Sequence, residues 1–449
     1  MENNTANGAP DYAAFETTTR SMMDFIAKSP SCYHVIRNLS QMLLDEGFVA
    51  LRENEIWHLE EGGKYFVTRN GSSLIAFCTP KADFTNFQIT ASHSDSPSFK
   101  IKEHEEMLVD GHYVELNAEK YGGMIYAPWF DRPLSVAGRV VVKNGNSLES
   151  RLVNIDRDLL MLPNVAIHMN RKINEGYEYH AQKDMIPLFG EETAKGTFMK
   201  LIAENISADP SDIVTSDLFL YNRMPGTIWG ANGEFCSSPK LDDLQCAYTA
   251  MQGFLAGGNP DSVTVCCVFD NEEVGSLTKQ GAYSTMLADT LERINSCFGR
   301  TREQYLCAVA ASFMLSADNA HAVHPHHLDK ADPTNRPYMN HGPVVKFNAN
   351  QKYTTDAISG AIFRSICERA GVPCQTYINH SDVPGGSTLG NLSNVQVSLN
   401  CADIGLAQLA MHSPYETAGV RDSWYMIRAI QEFYQTHIAA TGDGSWQLR

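Results

Sequence analysis

The sequence predicts an α/β fold, a layered domain with a largely parallel sheet that a β-rich segment interrupts. Three observations lead there. Helical and strand-like patterns alternate up to about residue 99. From about 100 to 234 the texture changes to short β-like runs and turn residues. From about 235 the alternation resumes. A chain of 449 residues is long for one core, so two units are expected. Residues 1–99 and 235–449 form one discontinuous domain in this reading, and residues 100–234 form the insertion.

The elements follow in order. The polar start "MENNTANGAPDY" lacks the basic beginning and apolar core of a signal peptide, and about ten of its residues are expected to be disordered. Apolar residues at helical spacing predict helices from Tyr12 to Lys28 and from Cys32 to Glu46. "KYFVTRN", "SSLIAFCTP" and "NFQITAS" are strand-like. "MIYAPWF" and "GRVVVKN" represent the β-like runs of the insertion. In "LDDLQCAYTAMQGFLAG", Leu244, Ala247, Tyr248, Met251 and Leu255 mark a helix. "SVTVCCVF", residues 262–269, is an apolar β-branched strand, and Cys266 and Cys267 on it point to opposite faces. "LCAVAASFMLSA" is a further strand-like run, ahead of Asp318. Gly371 and Pro373 stop the helix "DAISGAIFRSICERAG", and a last helix runs from about Ser423 to Gln435. No internal repeat or low-complexity tract is visible.

Bulk properties exclude some functions. A formal charge of -17 without any basic run argues against nucleic acid, whose phosphates need Lys and Arg. No segment reaches the roughly 18 apolar residues of a membrane helix. The 11 cysteines are scattered without a C-x-x-C pair. Reduced, mostly buried thiols in a cytoplasmic protein fit that usage, and a cysteine-based zinc site does not.

Ligands of open α/β sheets gather beyond the carboxyl ends of the strands. His93 and Asp95 follow "NFQITAS", and Glu272 and Glu273 follow "SVTVCCVF". Asp318 follows its strand-like run, Asp242 and Asp243 precede a helix, and His412 lies in "AMHSPYE". Singly, each has a plain reading as a cap, a turn residue or a core histidine. Together they supply two imidazoles and several carboxylates, the ligand chemistry of zinc, manganese or cobalt. Two metals a few ångströms apart need a bridging carboxylate, which an Asp on a rigid helix start can supply. Adjacent glutamates in "DNEEVGS" then divide the work, one binding metal and the other acting as general base.

The series "ASHSDSPSFKIK", "KLDDLQCAY", "DNEEVGS", "SADNAHAVHP", "GPVVKFNANQKYTTDA" and "AMHSPYE" resembles the aspartyl aminopeptidase family of dinuclear zinc exopeptidases, as does "LPNVAIHMNRKINEG" in the insertion. The matches span about residue 20 to 435. The resemblance implies a phosphorylase/hydrolase-like zinc-peptidase core with an inserted β-rich dimerisation domain. It implies two zinc ions per subunit, replaceable by manganese or cobalt, with His93, Asp242, Glu273, Asp318 and His412 as ligands and Asp242 bridging. Glu272 would be the general base, and Asp95 would orient the His93 imidazole. His168 would reach from the insertion into a neighbour's active site. Lys346 would receive the side chain of the substrate's first residue, and Tyr353 would donate to the reacting carbonyl. The implied activity is release of an N-terminal Asp or Glu from peptides by a hydroxide that the two metals activate. The implied assembly is a homo-oligomer, dimers building a dodecamer. Asp243 departs from the family's usual Asn, Lys240 from Arg, Asn319 from Met and His326 from Asn. His321, His324, His326 and His327 resemble a metal site, but the motif's ligand is Asp318. Alternatives are broad or apolar specificity on the same fold, a deacylase or carboxypeptidase, and a silent metal-binding or cargo protein.

Overall fold

The computed structural model describes residues 12–449, so the disorder expected of the first ten residues lies outside the described residues. The first helices are Tyr12–Ala27 and Cys32–Asp45, and the last is Asp422–Gln435. Between them lies a nine-stranded sheet, parallel in five of its eight pairings. At its centre Asn86–His93 is flanked by Ser262–Phe269 and Phe313–Ala317, both parallel to it. Every residue of these three strands is buried, which suits strands covered on both faces.

The pleat divides the sheet's side chains between two cores. Cys266 and Val268 enter one with the helices at both ends of the chain, including Phe15, Met22, Leu39, Phe433 and Tyr434. Val265, Cys267 and Phe269 enter the other with Leu287, Leu291 and Ile294 of helix Met286–Cys297. Each such buried side chain contributes about 1.5–3 kcal/mol. The central sheet is held in register by this two-sided burial, and strand-end residues inherit that rigidity.

A six-stranded antiparallel sheet runs from Ser98–Val109 to Ile213–Asn222, with its own core from Phe99 to Leu220. A third sheet of five short strands joins Thr227–Trp229 and Phe235–Ser238 to Glu416–Gly419, Ala407–Leu409 and Ala320–His321. No described helix is long and apolar enough to cross a membrane.

Two expectations are corrected. "MIYAPWF" is not β-like: it carries a short 3-10 turn, Ala127–Trp129, at whose start Pro128 has no N–H to give a ladder. "LCAVAASFMLSA" is divided, its first five residues completing helix Arg302–Ala310 before strand Phe313–Ala317. Thr301 and Gln304 form a capping box that starts that helix, and the cap overrides the apolar run. Asp356 and Ser359 likewise start helix Ala357–Ala370, which ends at Gly371 with φ +66°.

Candidate active site

Three neighbouring strands end at one place. Register pairs Phe269 with His93 and Ser316 with Ala91, so the residues after these strands share one sheet edge. His93 closes its strand, Glu272 and Glu273 lie in a 3-10 turn after theirs, and Asp318 follows Ala317. Asp242 arrives from the start of helix Leu241–Ala256. The Asp242–Asp243 peptide is cis and both residues are outside helical φ/ψ. His412, with φ +65°, comes from the loop after Ala407–Leu409.

The side chains converge. One oxygen of Asp242 is 3.5 Å from His93 Nε2, and the other is 3.3 Å from His412 Nε2. Glu273 is also 3.3 Å from His412 Nε2. Potential ligand atoms lie within 4.8 Å of one another in three groups: His93, Asp242, Asp243 and Asp318; His93, Glu272 and Glu273; Asp242, Glu273 and His412. Asp242 thus belongs to two of them, with different imidazoles. His321, His324, His326 and His327 enter none of these groups.

The charges need a cation. Burial opposes ionisation of Asp242, but His412 and His93 hold its carboxyl below the usual range. Burial raises Asp243, Glu273 and Asp318, and neighbouring carboxylates add to it. Burial, with Asp318, Asp95 and Asp242 adding and His93 opposing, pushes Glu272 up to about 8. The buried imidazole of His93 is nevertheless raised by Asp243, Asp242 and Asp95. Asp242 Oδ1, Asp243 Oδ1 and Glu273 Oε1 are buried without a hydrogen-bond partner. Orphaned acceptors among crowded carboxylates are costly, and hard or borderline cations satisfy them. The donor set of imidazole nitrogen and carboxylate oxygen fits zinc.

The surrounding residues fix the cluster. His93 Nδ1 is 3.1 Å from the main-chain carbonyl of Asp95, so an Nδ1–H tautomer leaves Nε2 free toward Asp242. The Asp95 carboxylate, 3.4 Å from Nδ1, has other partners. It accepts the backbone N–H groups of Glu272 and Glu273 at 3.2 Å and the Tyr121 hydroxyl at 2.6 Å. Asp243 accepts from the His93 backbone N–H at 3.1 Å. Glu416, in the quoted "AMHSPYE" but without an assigned role, accepts the backbone N–H groups of Asp242 at 2.9 Å and His412 at 2.7 Å. Tyr121 was also missed, because it comes from the antiparallel sheet.

A cavity of about 200 Å³ opens beside the cluster, lined by Asp242, Glu272, Asp318, Lys346, Tyr353, Tyr377, Met411 and His412 among others. Lys346, 2% exposed, donates to the carbonyls of Asp318 at 2.7 Å and Asn319 at 3.3 Å, and Tyr353 is buried beside it. Asp403, also missed, accepts from Thr354 and from Thr388 at 2.6 Å, pinning two segments of that wall. His168 is not brought here: it is exposed, in the loop between Asn154 and Ala181.

An α/β sheet whose strand ends gather two imidazoles and several buried carboxylates beside a cavity defines a metallohydrolase. Residues 25–434 match the aminopeptidase I zinc metalloprotease family (M18). The chain belongs to that family and is a metallo-aminopeptidase, a peptide hydrolase. It is 44% identical over 421 residues to "Probable M18 family aminopeptidase 2" of Clostridium novyi, covering 92% of this chain and 97% of that one. A Pseudomonas aeruginosa protein of the same description is 36% identical, with 92% and 97% covered. Among solved structures, a chain of "Cryo-EM structure of the Ape4 and Nbr1 complex" superposes with a TM-score of 0.92 at 34% identity, covering 95% of this chain and 87% of that one. The Saccharomyces mApe1 chain, described as a dodecamer, gives 0.82 at 26%, with 94% and 97% covered.

Proposed function

We propose that the protein removes the N-terminal residue of peptides at a centre where Asp242 would serve two metal ions. The observation that carries this reading is the Asp242 carboxylate, whose oxygens face different imidazoles, His93 and His412. His93 and Asp318 would complete one position, and Glu273 and His412 the other. Zinc is the expected metal, with manganese or cobalt as substitutes. When bound, the metals would supply Lewis acidity to the scissile carbonyl and lower the pKa of water.

Glu272 takes the proton of the attacking water and passes it to the leaving amine. Its carboxyl needs to be ionised for the first step, and cations alongside favour that form. Asp95 holds the Glu272 backbone and so the base. Tyr353 donates to the carbonyl oxygen as charge develops on it. Lys346 retains donor capacity for a substrate carboxylate, which favours an N-terminal Asp or Glu. Exposed His168 would complete a neighbouring subunit's site across the dimer that residues 100–234 form. A dodecamer, the assembly named for the mApe1 structure, built here from such dimers, and a cytoplasmic location complete the reading. All eleven cysteines being free supports that location.

One observation favours a second reading, broad or apolar specificity. Lys346 already has two main-chain carbonyls as partners, and Tyr353, Tyr377 and Met411 share its cavity. Two measurements decide: metal per subunit, and hydrolysis of Asp-, Glu- and Leu-p-nitroanilides with free and acetylated amines. Two metals, free-amine dependence and acidic preference are expected. One metal, or hydrolysis of the acetylated series, would end the first reading.

A further inference from the structure

Behind the cluster of candidate ligands lies a larger cavity of about 330 Å³, where the turn between the first two helices meets the six-stranded sheet. Its volume suits a small organic molecule. Tyr33, Trp129, Phe219 and Tyr221 give it aromatic walls. Four cations and five carboxylates line it, so the balance turns on which of them already have partners. Lys100 and Arg139 share one carboxylate, Asp217, at 2.7 and 3.0 Å. Lys240 has none: its Nζ donates to the Ser29 carbonyl at 2.7 Å and lies 5.8 Å from the Tyr221 ring centre. Among the described residues no carboxylate comes within 4.0 Å of it.

The carboxylates on the same wall have partners of their own. Asp95 is occupied by Tyr121 and two backbone N–H groups, Asp270 by the Asn271 N–H, and Glu416 by two N–H groups. Asp242 faces the two imidazoles. A lysine Nζ with spare donors, beside the Tyr221 ring and in a partly enclosed space, is a site for an anion with an apolar body.

We propose that this cavity is a second ligand site, separate from the catalytic pocket, for a small monocarboxylate with an aromatic body, anchored by Lys240. The anion completes the partners of the ammonium, and its ring lies among the aromatic walls. The site has a mechanical link to the cluster of candidate ligands. Tyr121 lines the cavity, donates to Asp95 and accepts from Asn271 at 2.8 Å, so an occupant abuts the group that holds the backbone of Glu272.

Calorimetric titration of the metal-loaded protein with sodium phenylacetate tests this without turnover. Saturable binding is expected, and 2-phenylacetamide, of the same shape but uncharged, should bind at least about tenfold more weakly. Lys240→Gln keeps an N–H for the Ser29 carbonyl but no charge, and should also weaken phenylacetate at least about tenfold. Lys240→Arg and Lys346→Leu should leave it within about threefold of wild type. Absence of saturable binding, or equal binding of the amide by wild type, overturns the proposal whatever the variants do. So does phenylacetate binding that survives Lys240→Gln, or that is lost in Lys346→Leu, because the anion would then be in the catalytic pocket.

Discussion

The ammonium of Lys346 donates to the main-chain carbonyl of Asp318 at 2.7 Å and lies 3.7 Å from that residue's carboxylate. Burial works against its charge, but Asp318 keeps the amine protonated. One lysine therefore touches both a proposed metal ligand and the cavity expected to take the substrate's side chain. Lys346→Leu separates the two roles. Loss of the ammonium that would partner the substrate's carboxylate should reduce the Asp-to-Leu ratio of kcat/KM by about tenfold or more. Loss of support for Asp318 alone would lower all substrates equally, and metal affinity with them. The ratio and the metal content, measured on the same preparations, tell the outcomes apart.

The two glutamates should fail differently. Glu272→Gln is expected to keep its metal and lose roughly 100- to 10,000-fold in kcat, the usual contribution of a general base. Glu273→Gln should lose metal as well, because its carboxylate shares His412 with Asp242. Elemental analysis beside single-substrate kinetics checks both. Metal loss in Glu272→Gln with retention in Glu273→Gln would reverse the assignment.

Glu416 is expected to matter through backbone alone. Glu416→Ala strands the buried N–H groups of Asp242 and His412, at about 1–3 kcal/mol each. Metal affinity should fall about 10- to 100-fold, as for other supports of ligands. Glu416→Gln, which keeps one good acceptor, should recover part of it. Chelator competition gives the affinities, and equal affinity in wild type and Glu416→Ala would remove Glu416 from the site.

Mixing His168→Ala with Glu272→Gln subunits tests the shared site. Each parent should be nearly inactive, and mixed oligomers should regain activity where both intact residues meet. No recovery in oligomers verified to be mixed would confine catalysis to single subunits.

Acid should destabilise the first helical pair. His34 is buried, 2.8 Å from the Ser31 hydroxyl, and burial lowers its imidazole from the ordinary 6.5 to about 3. The folded state therefore binds fewer protons than the unfolded chain between pH 6.5 and about 3. Its contribution is fully present above pH 6.5 and declines as pH falls, by up to about 1.4 kcal/mol per pH unit. Urea midpoints with chelator, from pH 7 to 4.5, should show a shallower fall in His34→Gln than in wild type. Identical slopes would mean that His34 is not held neutral.

Much of the site is legible in the sequence because a parallel sheet collects strand-end residues at one edge. His93, Glu272, Glu273 and Asp318 are found by that rule alone. Glu416 is not, since its partners are backbone N–H groups, which no residue pattern records. Tyr121 meets Asp95 only because strand Tyr113–Tyr121 pairs back along Ser98–Val109. The run "MIYAPWF" misled because apolar aromatic residues outweighed Pro128, whereas one missing N–H decides against a ladder. His168 is exposed and outside the cluster, and the shared-site role proposed for it rests on the resemblance.

The Glu416 contacts bear on the order in which a growing chain becomes an enzyme. A ribosome adds 174 residues after Asp242 before it has placed the glutamate that braces Asp242 and His412. Until then two proposed ligands lack their brace, and His412 itself follows Asp242 by 170 residues. Chains that stop short of Glu416 should therefore hold metal less tightly than the full chain, a difference that chelator competition on truncated chains would read.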